Sequence, residues 1–305
     1  MSLNQVELQV NAARSKWAPW ILTARPKTLI ASFVPVLVGT LLAKGTTGTF
    51  NGWIALCMLV CAIFIQTGTN LINDAIDFNK GADGFKRLGP VRATQLGLIS
   101  SQQVFWAGMI SFFIGFLVGI PLIIQGGVLV LIALMISALC GYLYTGGPAP
   151  LAYSGLGDFF VVIFFGWVST SASYFLQTGT VNLWVLLAGT QVGLHSTVMI
   201  AINNLRDIEG DAQVGKRTLA VRFGPYFARC EITCLVFLPF LLSMLWFIPG
   251  MMNPAIIPFI CTPQALRLVN NVWYTEPSSV YNGFLAQGAF LHLLFGGLLG
   301  LGFIL

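Results

Sequence analysis

Long apolar segments without charge recur along this chain of 305 residues and restrict the folds open to it. Residues 53–70, for example, contain no charged side chain. A helix needs about 20 mainly apolar residues to cross a bilayer, and it satisfies its own backbone polar groups there. Only 8% of the residues are charged, whereas a soluble domain carries about 25%. The sequence therefore predicts an all-α polytopic membrane protein.

The apolar pattern predicts about nine membrane-spanning helices. The predicted spans are 20–43, 52–75, 102–124, 126–145, 157–177, 182–205, 227–248, 250–270 and 282–305. The eighth is expected to be short, bent or partly re-entrant, because Pro254, Pro258 and Pro263 interrupt it. No linker marks a second domain, so we predict a single domain over 1–305 with a short polar N-terminus at 1–17.

The basic side chains fall almost entirely on one side of this arrangement. Of fifteen Lys and Arg residues, only Lys44 lies on the other side. By the positive-inside rule the basic side is cytoplasmic, which places the N-terminus inside and the C-terminus outside. Residues 1–17 lack the apolar core of a signal peptide, so the N-terminus is expected to stay on the side where it is made. No plastid-type transit segment is visible, and the expected location is therefore a bacterial cell membrane. Topology accounts for most of the net charge of +5, and no nucleic-acid partner is predicted.

Two short stretches of the sequence resemble each other. INDAID at 72–77 and INNLRD at 202–207 align without a gap, and each follows an apolar span. Each enters a charged segment, predicted as an aspartate-rich cytoplasmic loop at 70–92 and at 203–224. The shared place in the topology favours duplication over chance.

The acidic residues of these stretches have helical spacing. Asp74 and Asp77 are three residues apart, and Asp207 and Asp211 are four apart, so each pair shares a face if its helix continues beyond the membrane. Gln66 begins a polar stripe that runs down the same helical face to Asp77. Polar groups at membrane depth are costly unless they face a bundle interior or a wet cavity. The stripe therefore predicts that span two lines a pocket.

The two segments combine carboxylates with cations. The acids are Asp74, Asp77, Asp83, Asp207 and Asp211, and the bases are Lys80, Lys86, Arg87, Arg92, Arg206, Lys216, Arg217 and Arg222. Carboxylates without His or Cys neighbours suit Mg²⁺, which shares its remaining ligands with phosphate oxygens. Arg and Lys neutralise the oxygens that the metal leaves free. The mixture predicts a diphosphate site at the mouth of an apolar cavity, and the alternative is a pair of ordinary loops with balanced charge.

A diphosphate on a long apolar chain fits both halves of such a site. An allylic diphosphate ionises when its departing pyrophosphate is stabilised, and an electron-rich aromatic carbon then attacks the carbocation. This catalysis is mainly electrostatic stabilisation and positioning. Tyr144 could present its ring or hydroxyl to the cation; the alternative is a tyrosine of the interfacial belt.

The paired motifs NDAIDFNKGAD and NNLRDIEGD resemble those of the UbiA superfamily of intramembrane prenyltransferases, and the resemblance covers most of the chain. Four further stretches are similar to its MenA branch, which prenylates 1,4-dihydroxy-2-naphthoate in menaquinone synthesis: RPKTL at 25–29, GPVR at 89–92, YTGGPAPLAYSGLGD at 144–158 and GKRTLAVRFG at 215–224. The resemblance implies a nine-helix bundle around a central lipid-accessible cavity, with Mg²⁺ between the motifs. It also implies a polyprenyl or phytyl diphosphate donor and loss of CO₂ and pyrophosphate, giving demethylmenaquinone.

The resemblance also assigns roles to single residues. One metal would be held by Asp74, Asp77 and Asp83 and the other by Asp207 and Asp211, with support from Asn70, Asn73, Asn203 and Asn204. Substrate contacts are expected from Lys86, Arg92, Arg206, Lys216 and Arg222, the last four toward the diphosphate. Asp83 departs from the simplest motif spacing because it follows Gly81. Arg25 and Lys27 either bind the acceptor carboxylate or are topology charges that snorkel.

Other readings stay open at this stage. Another aromatic acceptor, such as 4-hydroxybenzoate, homogentisate or a haem or chlorophyll precursor, would suit the same superfamily. A secondary transporter would also carry repeats and polar stripes, although charged sites near the midplane are then expected. A phospholipid-forming phosphotransferase lacks support, because its D-G-x-x-A-R signature is absent. The oligomeric state is left undetermined.

Overall fold

The computed structural model describes residues 17–81, 88–90 and 92–305, and that part of the chain is helical with no strand. The helices are α1 (Ala18–Ala24), α2 (Ile30–Thr47), α3 (Gly52–Asn79), α4 (Ser101–Leu143), α5 (Gly157–Thr178), α6 (Leu183–Arg206), α7 (Ile208–Gln213), α8 (Leu219–Ser243), α9 (Met252–Ile256), α10 (Thr262–Tyr274) and α11 (Tyr281–Ile304). Seven of them, α2 to α6, α8 and α11, are long and apolar enough to cross a membrane. The predicted all-α membrane class is confirmed at this level.

Helix α4 consists of two arms that meet at Gly127. This glycine has φ 70° and ψ −156°, which is outside the helical region. A methyl group placed on Gly141 would lie 3.3 Å from the Phe112 ring, although 29 residues of straight helix would separate the two by about 44 Å. The chain therefore reverses at Gly127, where the sequence predicts a boundary between spans 102–124 and 126–145.

The first predicted span, 20–43, is wrong in its outline. Helix α1 ends at Ala24, Arg25 takes a left-handed conformation with φ 53°, and a 3₁₀ turn from Pro26 to Leu29 precedes α2. Proline disfavours the α-helical conformation in the residue before it. The apolar periodicity continues through this break, which is why hydropathy alone joins the two helices.

The prolines interrupt the segment that was predicted to span 250–270, as expected. Helix α9 gives way to a 3₁₀ stretch at Ile257–Cys261 before α10 begins. Pro254, Pro258 and Pro263 lie at or near the starts of these pieces, where a missing backbone N–H costs least.

Helix α6 runs through the centre of the bundle and crosses α5 at very short range. A methyl group on Gly166 would lie 2.5 Å from the Gly189 carbonyl oxygen and 2.9 Å from Gly193 Cα. Small residues allow such close backbone approach between membrane helices. This crossing fixes the last turns of α6, which carry the second aspartate motif, against the start of α5.

Replacing Gly166 by Ala is expected to lower the free energy of unfolding by about 1–3 kcal/mol, the usual cost of overpacking. The added methyl group meets backbone atoms, so the two helices must move apart. Thermal unfolding in detergent measures the change. Gly297→Ala is the matched control, because a methyl group on Gly297 in α11 meets nothing within 4 Å; equal stability of both variants would contradict the prediction.

Candidate active site

A cavity of about 1510 Å³ lies among α2 to α6, and its lining changes along its length. Both aspartate motifs line one end. The other end is lined by apolar side chains such as Met58, Leu122 and Val130, which belong to a packed hydrophobic cluster at the base of the cavity. One cavity thus joins a charged mouth to a greasy interior.

The first motif occupies the last two turns of α3. The carboxylates of Asp74 and Asp77 are almost completely buried, and two guanidinium groups neutralise them. Arg25 Nη2 lies 2.5 Å from Asp74 Oδ1, and Arg92 Nε lies 2.8 Å from the same oxygen. Arg92 Nη2 also lies 3.1 Å from Asp77 Oδ2. The turn at Arg25 therefore brings α1 and α2 to the end of α3.

Two asparagines of α3 hold the neighbouring segments in place. Asn70 Nδ2 donates to the Ala24 carbonyl and to Thr28 Oγ1, both at 3.0 Å. These bonds flank the left-handed turn at Arg25. Asn73 Oδ1 accepts a hydrogen bond of 2.7 Å from Thr145. Both asparagines line the cavity, and the bonds show that they position the segments around it.

The second motif is built around Arg206, the last residue of α6. Its guanidinium forms a bidentate ion pair with the Asp207 carboxylate, with N–O distances of 2.8 and 2.5 Å. It also donates to Asn203 Oδ1 at 2.7 Å and to Asn282 Oδ1 at 2.6 Å. The Arg206 side chain is 1% exposed. This network anchors the end of α6 to the start of α11.

Asp211 and Tyr153 connect the two motifs. Lys216 Nζ lies 3.4 Å from Asp211 Oδ1 and 5.2 Å from the centre of the Tyr153 ring. The Tyr153 hydroxyl donates to Asp77 Oδ1 at 3.4 Å. Burial raises the pKa of Asp211; the carboxylates of Asp207 and Asp77 raise it further, and Lys216 opposes them. The Asp211 carboxylate therefore interacts with Asp77 of the first motif as well as with Asp207 of its own motif.

Residues 32–294 match the UbiA prenyltransferase family. The chain belongs to the UbiA prenyltransferase family. It is 39% identical to the 1,4-dihydroxy-2-naphthoate octaprenyltransferase of Escherichia coli, over 73% of this chain and 74% of the relative. It is 30% identical to the Bacillus subtilis protein of the same name, over 94% and 92%.

Solved structures of UbiA homologues share the fold. The apo structure of a homologue from Aeropyrum pernix has a TM-score of 0.68 at 17% identity, covering 92% of this chain and 98% of that one. A homologue from Archaeoglobus fulgidus, bound to geranyl diphosphate (GPP) and Mg²⁺, has a TM-score of 0.65 at 16% identity, covering 94% and 99%. The resemblance to the UbiA superfamily that the sequence motifs indicate is confirmed.

Membership of the UbiA family raises the question of whether this site suits Mg²⁺. Asp74 Oδ2 is buried and has no hydrogen-bond partner within the described residues, so it retains lone pairs for a ligand. Aspartate oxygens are the donors that Mg²⁺ prefers. Across 17–81, 88–90 and 92–305, no group of three or more His, Cys, Asp or Glu side chains is placed to hold a metal. The donor types fit, provided that water or phosphate oxygens complete the coordination.

Several predicted site residues fall elsewhere. Asp83 and Lys86 lie outside the described residues, as does the side chain of Lys27. The Arg222 guanidinium donates to the Arg217 and Ser154 carbonyls and does not line the cavity, so its contact with the diphosphate stays a prediction. Arg206 lines the cavity, but it is committed to Asp207 and two asparagines.

Tyr153 is a site residue that the sequence reasoning did not single out. Its ring packs between Lys216 and Lys80, whose Nζ lies 4.7 Å from the ring centre. It belongs to the stretch 144–158 that resembles the family, which is the signal that could have pointed to it. Asn282, from the start of α11, was missed because no motif surrounds it.

Proposed function

We propose that this chain transfers a polyprenyl group from its diphosphate to 1,4-dihydroxy-2-naphthoate, with loss of CO₂ and pyrophosphate, giving demethylmenaquinone. The observation that carries the proposal is the continuity of the cavity: a charged end with four aspartates and their cations opens into a deep apolar interior. A cavity with one charged end and one apolar end matches a donor with an anionic diphosphate head and an apolar prenyl tail. The naphthoate acceptor follows from the names of the relatives and from the motifs shared with them.

The donor head lies at the charged mouth. Asp74, Asp77, Asp207 and Asp211 would hold Mg²⁺, which supplies charge stabilisation for the pyrophosphate leaving group. Arg25, Arg92 and Lys216 already neutralise these acids and lie within reach of a bound anion. Guanidinium groups suit phosphate oxygens because they donate two parallel hydrogen bonds. Fixed cations of this kind stabilise the leaving group without reorganisation at the moment of reaction.

The acceptor ring lies deeper in the cavity than the donor diphosphate, beside Tyr144, and contacts the prenyl C1 atom there. Tyr144 lines the cavity and offers an aromatic face to the developing carbocation. The acceptor carboxylate faces Arg25 in this arrangement. Holding both reactants in contact and away from water favours carbon–carbon bond formation over hydrolysis.

The proposal includes a membrane topology. Counting the two arms of α4 separately, and α9 with α10 as one broken crossing, gives nine spans around a central cavity open to lipid. The motif ends of α3 and α6 then face the cytoplasm together with the basic residues. The four acids sit at one end of the cavity, an arrangement that suits a substrate head approaching from that side and not the midplane site of a transporter.

The test is an assay with purified protein in nanodiscs, Mg²⁺, a polyprenyl diphosphate and 1,4-dihydroxy-2-naphthoate. Mass spectrometry is expected to find a prenylated, decarboxylated naphthoquinol, and EDTA is expected to abolish it until Mg²⁺ is restored. Product with 4-hydroxybenzoate or homogentisate alone would overturn the acceptor assignment. Ion-coupled uptake of a solute, with no prenylated product from any acceptor, would replace the enzyme by a transporter.

A further inference from the structure

Asp158 is a buried acidic residue of the cavity that forms no salt bridge with the described residues. Asp158, in the first turn of α5, is 7% exposed and lines the cavity. Its one side-chain hydrogen bond among the described residues is a long one of 3.5 Å from Asn204 Nδ2. Each of the four motif aspartates is paired with Arg or Lys. A buried carboxylate without a cation is costly, and this one faces an open space.

The surroundings of Asp158 suit a flat aromatic molecule. A methyl group on the preceding Gly157 would lie 3.1 Å from the Tyr144 hydroxyl oxygen, so this hydroxyl lies against the start of α5. Further along α5, Phe160 and Phe164 are stacked with their ring centres 6.0 Å apart and an angle of 12° between the rings. Both rings line the cavity. Asp158, Tyr144 and these two rings thus line the same cavity.

We propose that Asp158 is a catalytic residue that takes the proton from a ring hydroxyl of the acceptor and later returns it. The inference rests on the proposed function. It assigns Asn204 and Tyr144 to holding the carboxylate and the acceptor in register. Asp158 is a buried carboxylate at the cavity with no salt bridge among the described residues, so it can accept a proton without first losing an ion pair.

Asp158 takes one proton and returns it in the course of the proposed reaction. The bond between prenyl C1 and the diphosphate oxygen breaks, and its electron pair leaves with pyrophosphate. The ring carbon that bears the carboxylate forms the new bond to prenyl C1, while the adjacent hydroxyl gives its proton to Asp158 and becomes a carbonyl. The resulting β-keto carboxylate loses CO₂, and the electron pair of that bond generates an enolate. Asp158 returns its proton to the enolate oxygen, so no other reactant is needed.

Three other ionisable groups lie near Asp158. Tyr144 directly follows α4, Glu231 of α8 lies near enough to the Asp158 carboxylate to interact with it electrostatically, and Arg222 of α8 lies beside Gly155 in the loop before α5. Glu231 does not line the cavity. It is therefore a suitable control, an acid close to Asp158 that cannot reach the acceptor.

The experiment compares Asp158→Asn with wild type and with Glu231→Gln in nanodiscs, from neutral pH to about pH 10. Asp158→Asn is expected to lose about 10²–10⁴-fold in turnover at neutral pH, the range of a general base. Affinity for a donor thiodiphosphate analogue should stay within twofold, and Glu231→Gln should retain wild-type turnover. Turnover of Asp158→Asn should recover as the pH approaches about 10, where a phenolic hydroxyl ionises unaided.

A purely structural role would give a different pattern. Wild-type turnover in Asp158→Asn, loss of donor affinity together with turnover, or a loss that persists at pH 10 would each overturn the proposal. If Asp158→Asn does not fold, Asp158→Ser carries the same expectations. Failure of the proposed function itself is distinguishable, because wild type would then form no prenylated naphthoquinol.

Discussion

Replacing Asp77 by Asn is expected to reduce prenyl transfer by about 10²–10³-fold, the effect of removing one fixed group that stabilises transition-state charge. The amide has nearly the same shape, so the packing at the end of α3 should persist. The amide lacks the negative charge that the Arg92 guanidinium faces at 3.1 Å. It also lacks the charge that an aspartate ligand contributes to Mg²⁺ binding. The measurement is kcat/KM for the donor in nanodiscs, with the Mg²⁺ concentration for half-maximal activity determined alongside.

The Mg²⁺ titration separates the proposed role from a structural one. If Asp77 is a ligand, the variant should need a higher Mg²⁺ concentration and should keep a cooperative unfolding transition. Gln66→Glu is not a useful comparison, because it would bring a new charge into the cavity; Glu231→Gln removes an acid outside the cavity and should leave both values unchanged. An Asp77→Asn variant with normal activity and an unchanged Mg²⁺ requirement would contradict the assignment.

Replacing Arg206 by Met is expected to lower the free energy of unfolding by about 3–5 kcal/mol, the cost of leaving one partner of a buried ion pair alone. The change leaves the Asp207 carboxylate without its guanidinium partner, and it removes the hydrogen-bond donor to Asn203 and Asn282. Arg206→Lys should lower the free energy of unfolding by less, because Lys keeps the positive charge. It should still be destabilising, because Lys lacks the bidentate geometry of the guanidinium group. Equilibrium unfolding in bicelles measures both variants.

A double-mutant cycle tests the cause of this loss. Adding Asp207→Asn to Arg206→Met should recover part of the stability, because the unpaired charge is removed. Arg267→Met is the matched control: Arg267 is exposed on α10, and such a change usually costs less than about 0.5 kcal/mol. Strictly additive losses in the cycle would show that Arg206 and Asp207 contribute independently.

The sequence predicts well what depends on local spacing. The helical spacing of Asp74 and Asp77, together with Asn70, anticipates the polar face of α3 that lines the cavity. The predicted boundary between spans 102–124 and 126–145 falls at the reversal at Gly127. Both predictions rest on the spacing of polar and apolar residues within a short stretch of the sequence, or on a single interruption of that spacing.

What the sequence did not predict depends on contacts between distant segments. Arg206 reads as a diphosphate ligand from its motif, but its partner Asn282 is 76 residues away and stands in no motif. The place of Arg222 beside the Ser154 carbonyl likewise follows from the path of the loop before α5, which no motif encodes. Tyr153 lies between two lysines that the folded chain brings together from α3 and the segment after α7.

The length of the apolar cavity limits how much of a substrate the protein can enclose. Asp77 and Met58 are nineteen residues apart on α3, or about 28 Å along the helix. A peptide unit has three backbone bonds and extends about 3.5 Å. On the same length per bond, an isoprene unit with four chain bonds extends about 4.5 Å. Eight such units extend about 36 Å. A fully extended tail of eight units is thus longer than the stretch of α3 between these two residues. The enzyme would then recognise the head and the first units of its donor, and tails of different lengths should react at similar rates.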